Sequence, residues 1–365
     1  MFKKSKKYFS YIFNPMELVR TKKVLQVNPT VVSTRKEPEE IKIFVYDYTP
    51  ERLESKQFSK VPECYHYVTS EGVTWINVDG LKKADIEDLS KHYGIHYLFA
   101  EDILSIGQRA KMDEIDGLVF CLLNMLYFNE EQSTVETEQI SIVLGKNFVI
   151  SFQEDAARDV FDPLREKLKA NGTKIRQNGA DFLFYSLLDM IVDNYYTVME
   201  KVGDKIELLE EDIVRNSNTR SLASINMLRK EMIILKRSIA PVRELVSGIM
   251  RSDNEYIQPQ TEKYFKDVYD HIVQANDLAE NYRDMMINLH DLYLSNVNLK
   301  MNEVMKVMAV VTCLLAPATV IGGIFGMNFE SIPLLHNKWG FFISVGCMLL
   351  IPLAMIRMFR KRGWF

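Results

Sequence analysis

The chemistry open to this chain belongs to amides and carboxylates. An uncharged amide, Asn328, ends the run Gly326-Met327-Asn328 after a long apolar stretch, and Phe329 and Glu330 follow it. Upstream, Asp277, Asp284 and Asp291 recur every seven residues. Rings of such carboxylates would concentrate cations, whereas an amide can accept hydrogen bonds from water still bound to an ion. Asp189 and Asp193 stand four apart in an apolar helical pattern, where like charges destabilise unless a cation or base compensates. His66, His92, His96, His271, His290 and His336 form no HExxH pair, and no P-loop or nucleophile elbow is present. The histidines read as structural and the chain as a non-enzyme.

The elements that must position these groups are two apolar spans. Val307–Phe325 and Trp339–Ile356 carry no charge, and each is long enough to cross the roughly 30 Å hydrocarbon layer as a helix. The segment 329–338 between them is too short for a domain, so the spans form a tight hairpin with an amide at its mouth, as a channel would. Lys300 and Lys306 precede the first span and Arg357, Arg360, Lys361 and Arg362 end or follow the second, while the loop has only Lys338. The positive-inside rule places both termini in the cytoplasm and the loop outside.

The 365 residues carry a net charge of −4, which with no aromatic-interleaved basic stripe argues against nucleic acid as a partner. Cys64, Cys121, Cys313 and Cys347 are scattered and form no disulfide framework or zinc pattern. The N-terminal Met1–Phe13, basic then aromatic, has no signal-peptide form; it reads as a loose tail or as a segment touching the inner leaflet. Strands are predicted at 41–48, 73–78, 117–128, 139–144 and 147–152, the last two as a hairpin over Gly145-Lys146, with helices at 82–93 and 159–170. From Gly179 onward the pattern is helical: an acidic helix 180–216, then a basic one 221–251 interrupted at Pro241, expected to pair by charge.

No proline stands between Pro259 and Pro317, and Phe265, Val268, Ile272, Ala275, Ala279, Tyr282, Met286, Leu289 and Tyr293 alternate at three and four residues. That is a heptad seam, on a helix of roughly 90 Å running from about 263 into the membrane. Rotating about 100° per residue from Asn302 returns Asp284 to the same face, with Asp277 and Asp291 within about 20°. Ala309, Ala316 and Gly323 continue that side, with Thr312 and Thr319 on its flank. This face suits a shared water-filled axis, and since one hairpin cannot enclose a pore, several copies must associate.

The run Asn302-Glu303-Val304-Met305-Lys306-Val307, Pro317 within the span and Gly326-Met327-Asn328 resemble the CorA family of magnesium channels. Thr74–Asn77, Glu101–Leu104, Gln108-Arg109, Val160–Pro163 and Asp267–His271 extend the resemblance over roughly 70–365. It implies an α/β cytoplasmic domain, a long stalk helix and two C-terminal transmembrane helices, assembled as a funnel-shaped homo-oligomer, a pentamer. The expected divisions are 1–262 cytoplasmic, 263–328 stalk and first span, 329–338 external loop, 339–358 second span and 359–365 basic tail. The implied location is the inner cell membrane, in contact with the lipid bilayer.

The implied cargo is Mg2+, with Co2+ or Ni2+ as further candidates. Mg2+ dehydrates reluctantly, so a ring of Asn328 amides would read the hydrated ion and still release it. Gly326 allows close backbone approach, Met327 completes the signature and Glu330 would raise the local cation concentration. Met305 and Met308 would form an apolar constriction; Ala316 stands where the family has a bulkier residue, which leaves a second constriction there open. Glu101, Asp102, Asp189, Asp193 and Asp267 match the family's positions for inhibitory Mg2+ between subunits. A zinc transporter of the same superfamily, or a membrane-anchored sensor or scaffold, is the alternative.

Overall fold

The computed structural model describes residues 38, 41–69, 72–155, 159–329, 332–334 and 337–364. Expectations for Met1–Phe13 and for Glu330 lie outside the described residues.

A seven-stranded sheet carries the N-terminal part: β1 (Lys42–Tyr48), β2 (Leu53–Phe58), β3 (Val73–Asp79), β4 (Lys111–Ile115), β5 (Leu118–Asn129), β6 (Thr134–Leu144) and β7 (Phe148–Gln153). Their order is β2-β1-β3-β7-β6-β5-β4, antiparallel except where β3 meets β7 in parallel, Ile76 opposite Ile150. Asp116 and Gly117 both take positive φ, 54° and 82°, in the two-residue turn joining β4 to β5, the geometry a twisted hairpin favours. The strands absent from the sequence reading, β2 and β4, are the sheet's two edges. Their sequences, LESKQF and KMDEI, are charged, as edges that must not recruit other strands tend to be.

One sheet face is covered by α1 (Lys83–Tyr93), α2 (Tyr97–Leu104) and a 3-10 segment (Val61–Thr69). Ile86, Leu89, Phe99 and Ile103 join Ile76, Phe120 and Ile150 in one core. Phe99 stacks on Phe120 with centroids 4.6 Å apart, a contact worth about 1 kcal/mol beyond the area it buries. Two short helices follow, α3 (Asp162–Lys169) and α4 (Lys174–Gln177), α3 being shorter than the predicted 159–170.

Three long helices follow: α5 (Ala180–Asn216), α6 (Thr219–Arg251) and α7 (Pro259–Phe325). On the second sheet face the Tyr195 hydroxyl donates to the Asn124 carbonyl at 2.6 Å and Asn194 Nδ2 to that of Leu126 at 2.6 Å. Glu231 of α6 accepts the Val135 amide at 2.6 Å.

One expectation needs correction: α6 passes through Pro241 without a break. The proline is buried, and packing on the sheet keeps the helix in register although the ring removes one amide donor. Lys236 of α6 pairs with Glu280 of α7 at 2.5 Å, and Ser221 at the start of α6 donates to the Asp212 carboxylate of α5 at 2.8 Å.

Helix α5 runs alongside α7 in the same direction. Tyr196 reaches the His271 carbonyl, and seven residues on Gly203 backs onto Tyr282, whose hydroxyl would lie 2.6 Å from any added Cβ. The heptad seam is buried at Phe265, Val268, Ile272, Ala275, Ala279, Met286 and Leu289. Helix α7 begins a turn before 263 because Pro259 fits the first turn, where a missing amide donor does no harm.

The chain divides into two compact units, the second made of Ile213–Asn218 and everything from Asp291 onward. In it Asn296 Nδ2 donates to the Ile213 carbonyl at 3.0 Å and Lys300 Nζ to that of Ser217 at 3.1 Å. Helix α8 (Gly340–Lys361) starts where Asn337 accepts the Trp339 amide at 2.9 Å. It continues past 358, taking Arg360 and Lys361 into its last turn. Helices α7 and α8 each contain a segment long and apolar enough to cross a membrane, almost wholly unburied within the chain.

Candidate functional site

The mouth residues follow directly on α7. Amides of Gly326 and Met327 close the helix onto the Gly322 and Ile324 carbonyls at 3.0 and 3.3 Å. Beyond that turn Met327 and Asn328 are exposed. The Asn328 side chain makes no hydrogen bond among the described residues, so its amide is not spent as a helix cap.

Along α7, Asp277, Asp284, Asp291, Asn302, Met305, Met308, Ala309, Thr312, Ala316, Thr319 and Gly323 are all exposed. Exposed Met305 and Met308 in an otherwise polar or small-residue row are what an apolar constriction would be made from. Thr312 and Thr319 donate their hydroxyls to the carbonyls of Met308 and Leu315, at 2.9 and 3.1 Å. Their lone pairs therefore point outward as acceptors, the sense a cation or its water needs. Asp284 is bound by the adjacent Arg283 at 3.0 Å, an exposed pair of small energy.

The carboxylates proposed for regulation separate into two places. Asp189 and Asp193 of α5 meet His271 of α7, each offering a ligand atom within 4.8 Å of the others. Asp267 stands one helical turn before His271. Burial, with the Asp193 carboxylate beside it, raises the Asp189 carboxyl above the usual range; the Asp267 charge adds to that, and the Tyr185 hydroxyl, donating at 3.1 Å, opposes it. His271 Nδ1 is buried with no hydrogen-bond partner among the described residues. An imidazole beside two carboxylates, with one ring nitrogen buried and unpartnered, fits a divalent cation, directly or through its water.

Reading the sequence missed His271 by treating all six histidines as structural. The available signal was Asp267 and His271 at four-residue spacing, matching Asp189 and Asp193 at the same spacing on another helix. Glu101 and Asp102 lie on α2 and are not in this cluster. Asp102 is held by Lys111 Nζ at 2.6 Å and by Gln108 Nε2 at 2.8 Å.

The chain resembles known proteins over most of its length. Residues 70–361 match the family model described as CorA-like Mg2+ transporter protein. The chain is similar to the cobalt/magnesium transport protein CorA of Thermotoga maritima, 38% identical over 336 residues, covering 92% of this chain and 95% of the relative. It is 25% identical to the cobalt/magnesium transport protein CorA of Methanocaldococcus jannaschii, over 80% of this chain and 90% of the relative. The complete structure of the M. jannaschii CorA magnesium transporter superposes with a TM-score of 0.72 at 23% identity, covering 88% of this chain and 98% of that one. The cytoplasmic domain of ZntB from Vibrio parahaemolyticus shares the fold at a TM-score of 0.52 and 16% identity, over 70% of this chain and 98% of that one.

Proposed function

The chain belongs to the CorA-like Mg2+ transporter protein family, and on that premise we propose that it is a divalent-cation channel for Mg2+. It is an integral membrane protein whose two C-terminal helices span the bilayer. Several copies, five by the resemblance, surround a common axis lined by the polar face of α7. Both termini and the α/β domain face the cytoplasm.

One observation carries the reading. Asn328 is an exposed amide just past the first span, with no hydrogen bond among the described residues to occupy it. A ring of such amides accepts hydrogen bonds from the water around Mg2+, and the ion passes without the strong binding that carboxylates would impose. The aspartates at 277, 284 and 291 concentrate cations on the cytoplasmic side. Met305 and Met308 close the path by excluding water.

Cytoplasmic Mg2+ regulates the channel through the Asp189, Asp193, His271 and Asp267 group, with Glu101 and Asp102 completing it from a neighbouring subunit. An ion there favours the closed state only as far as it binds that state more tightly. When it leaves, the carboxylates repel and α7 is released. The test is metal-resolved flux into liposomes holding the purified protein. Entry of Mg2+ in preference to Zn2+ supports the proposal; Zn2+ entry alone supports the zinc alternative; no flux supports a sensor or scaffold.

A further inference from the structure

Helices α6 and α7 enclose a groove of about 550 Å3 that has no role in the pore or the metal group. Its walls are apolar, with Met232 and Met286 buried at the base, and Ile233 and Ile287 still 37% and 55% exposed. Its rim is cationic, with Arg229, Lys236, Arg237 and Arg283 among the lining residues, Arg283 also pairing with Asp284 and Lys236 with Glu280. An exposed aliphatic cleft edged by guanidinium groups fits an apolar knob flanked by carboxylates.

The chain itself carries that shape. On α5, Leu208 is 60% exposed and stands between Asp204 and Glu211, with Glu200 and Glu207 beside them, all exposed. Its height matches the groove. Because Gly203 meets the end of the Tyr282 side chain and Tyr196 reaches His271, so that the two helices run in the same direction, a rise of 1.5 Å per residue in each puts Asp204 within about a turn of Arg283 and Leu208 within about a turn of Ile287.

The two surfaces point to different sides of the protomer. Taking Asp284 as facing the axis and turning about 100° per residue, Ile287 and Arg283 lie about 60° and 100° to one side. Tyr282, against which α5 packs, lies about 160° to the other. Rotation about a pore axis leaves height unchanged, so a neighbouring copy brings its Leu208 to within about a turn of the level of Ile287. We propose that the acidic face of α5 around Leu208 docks into the α6–α7 groove of the adjacent copy, a head-to-tail contact that closes into a ring. The inference rests on the homo-oligomeric reading and adds where the copies meet.

The experiment uses full-length protein with Cys313 and Cys347 replaced by serine. Leu208→Cys and Ile287→Cys protomers with different tags are co-expressed, purified through both tags and treated with a short thiol cross-linker. The expected result is a covalent dimer bearing both tags, and none when Tyr97→Cys replaces Leu208→Cys. Arg283→Asp should weaken assembly about tenfold in dilution, and Asp204→Arg on the same chain should restore it. An oligomer of unchanged native mass with no Leu208–Ile287 product overturns the docking and leaves the oligomeric reading intact. A monomer by native mass overturns both.

Discussion

The Tyr196 hydroxyl of α5 donates to the main-chain carbonyl of His271 in α7 at 2.6 Å. The bond fixes the backbone of the residue whose ring meets Asp189 and Asp193, so the parallel helices are registered where their ligand atoms converge. Both the metal response and its failure on mutation should pass through this contact.

His271→Ala removes one ligand and leaves two carboxylates facing each other. Protection of the α/β domain from protease should then need about tenfold more Co2+ and somewhat less extra Mg2+, because imidazole contributes more to a transition metal than to an ion that prefers oxygen. Curves that overlay wild type for both metals would make His271 structural. Without metal, Asp193→Asn should raise stability by a few tenths of a kcal/mol, the usual size of a relieved like-charge pair.

Asn296 and Lys300 hold the end of α5 through the Ile213 and Ser217 carbonyls. Asn296→Ala should cost about 1 kcal/mol, the net value of one such bond. The exposed Lys300→Ala should cost less. Thermal unfolding of the full-length protein measures both, and a double variant should show whether the two bonds act independently.

Replacing Asp277, Asp284 and Asp291 together by Asn should reduce flux several-fold at low ionic strength and much less at high, where salt already screens the ring. An equal reduction at both would identify a folding defect.

Burial pushes the Asp79 carboxyl up to about 6, although Asn77 and Gln153 donate to it at 2.8 and 2.5 Å. The folded state therefore binds this proton more tightly than the unfolded one, so folding is favoured by protonation. Stability of the α/β layer should rise as pH falls through about 6, level off near the ordinary value of 3.8 and decline again as pH rises. Asp79→Asn should flatten that part of a melting-temperature profile and be the more stable protein at pH 7.

What was legible in the sequence follows from how each feature is encoded. The seam from Phe265 to Leu289 is repetitive, and every member but the half-buried Tyr282 is buried. The spans are long uncharged runs, visible by length alone. Edge strands β2 and β4 were not legible because an edge is stabilised by its neighbour while its own residues stay polar. Pro241 misled because local propensity argues for a break that packing on the sheet overrides. The Asp189–His271 meeting depends on two helices distant in the chain running in parallel; the matched four-residue spacings mark the residues, but no local pattern says that these two helices pair. Asn328 was conspicuous because an amide directly after an apolar span has few structural uses.

The account stands most directly on Asn328, and the measurement is Mg2+ flux into liposomes containing Asn328→Ala protein of wild-type native mass. The account predicts loss of Mg2+ entry by at least tenfold, with protease protection of the α/β domain by Mg2+ unchanged because the regulatory group is untouched. Mg2+ entry at the wild-type rate through the assembled variant would contradict it.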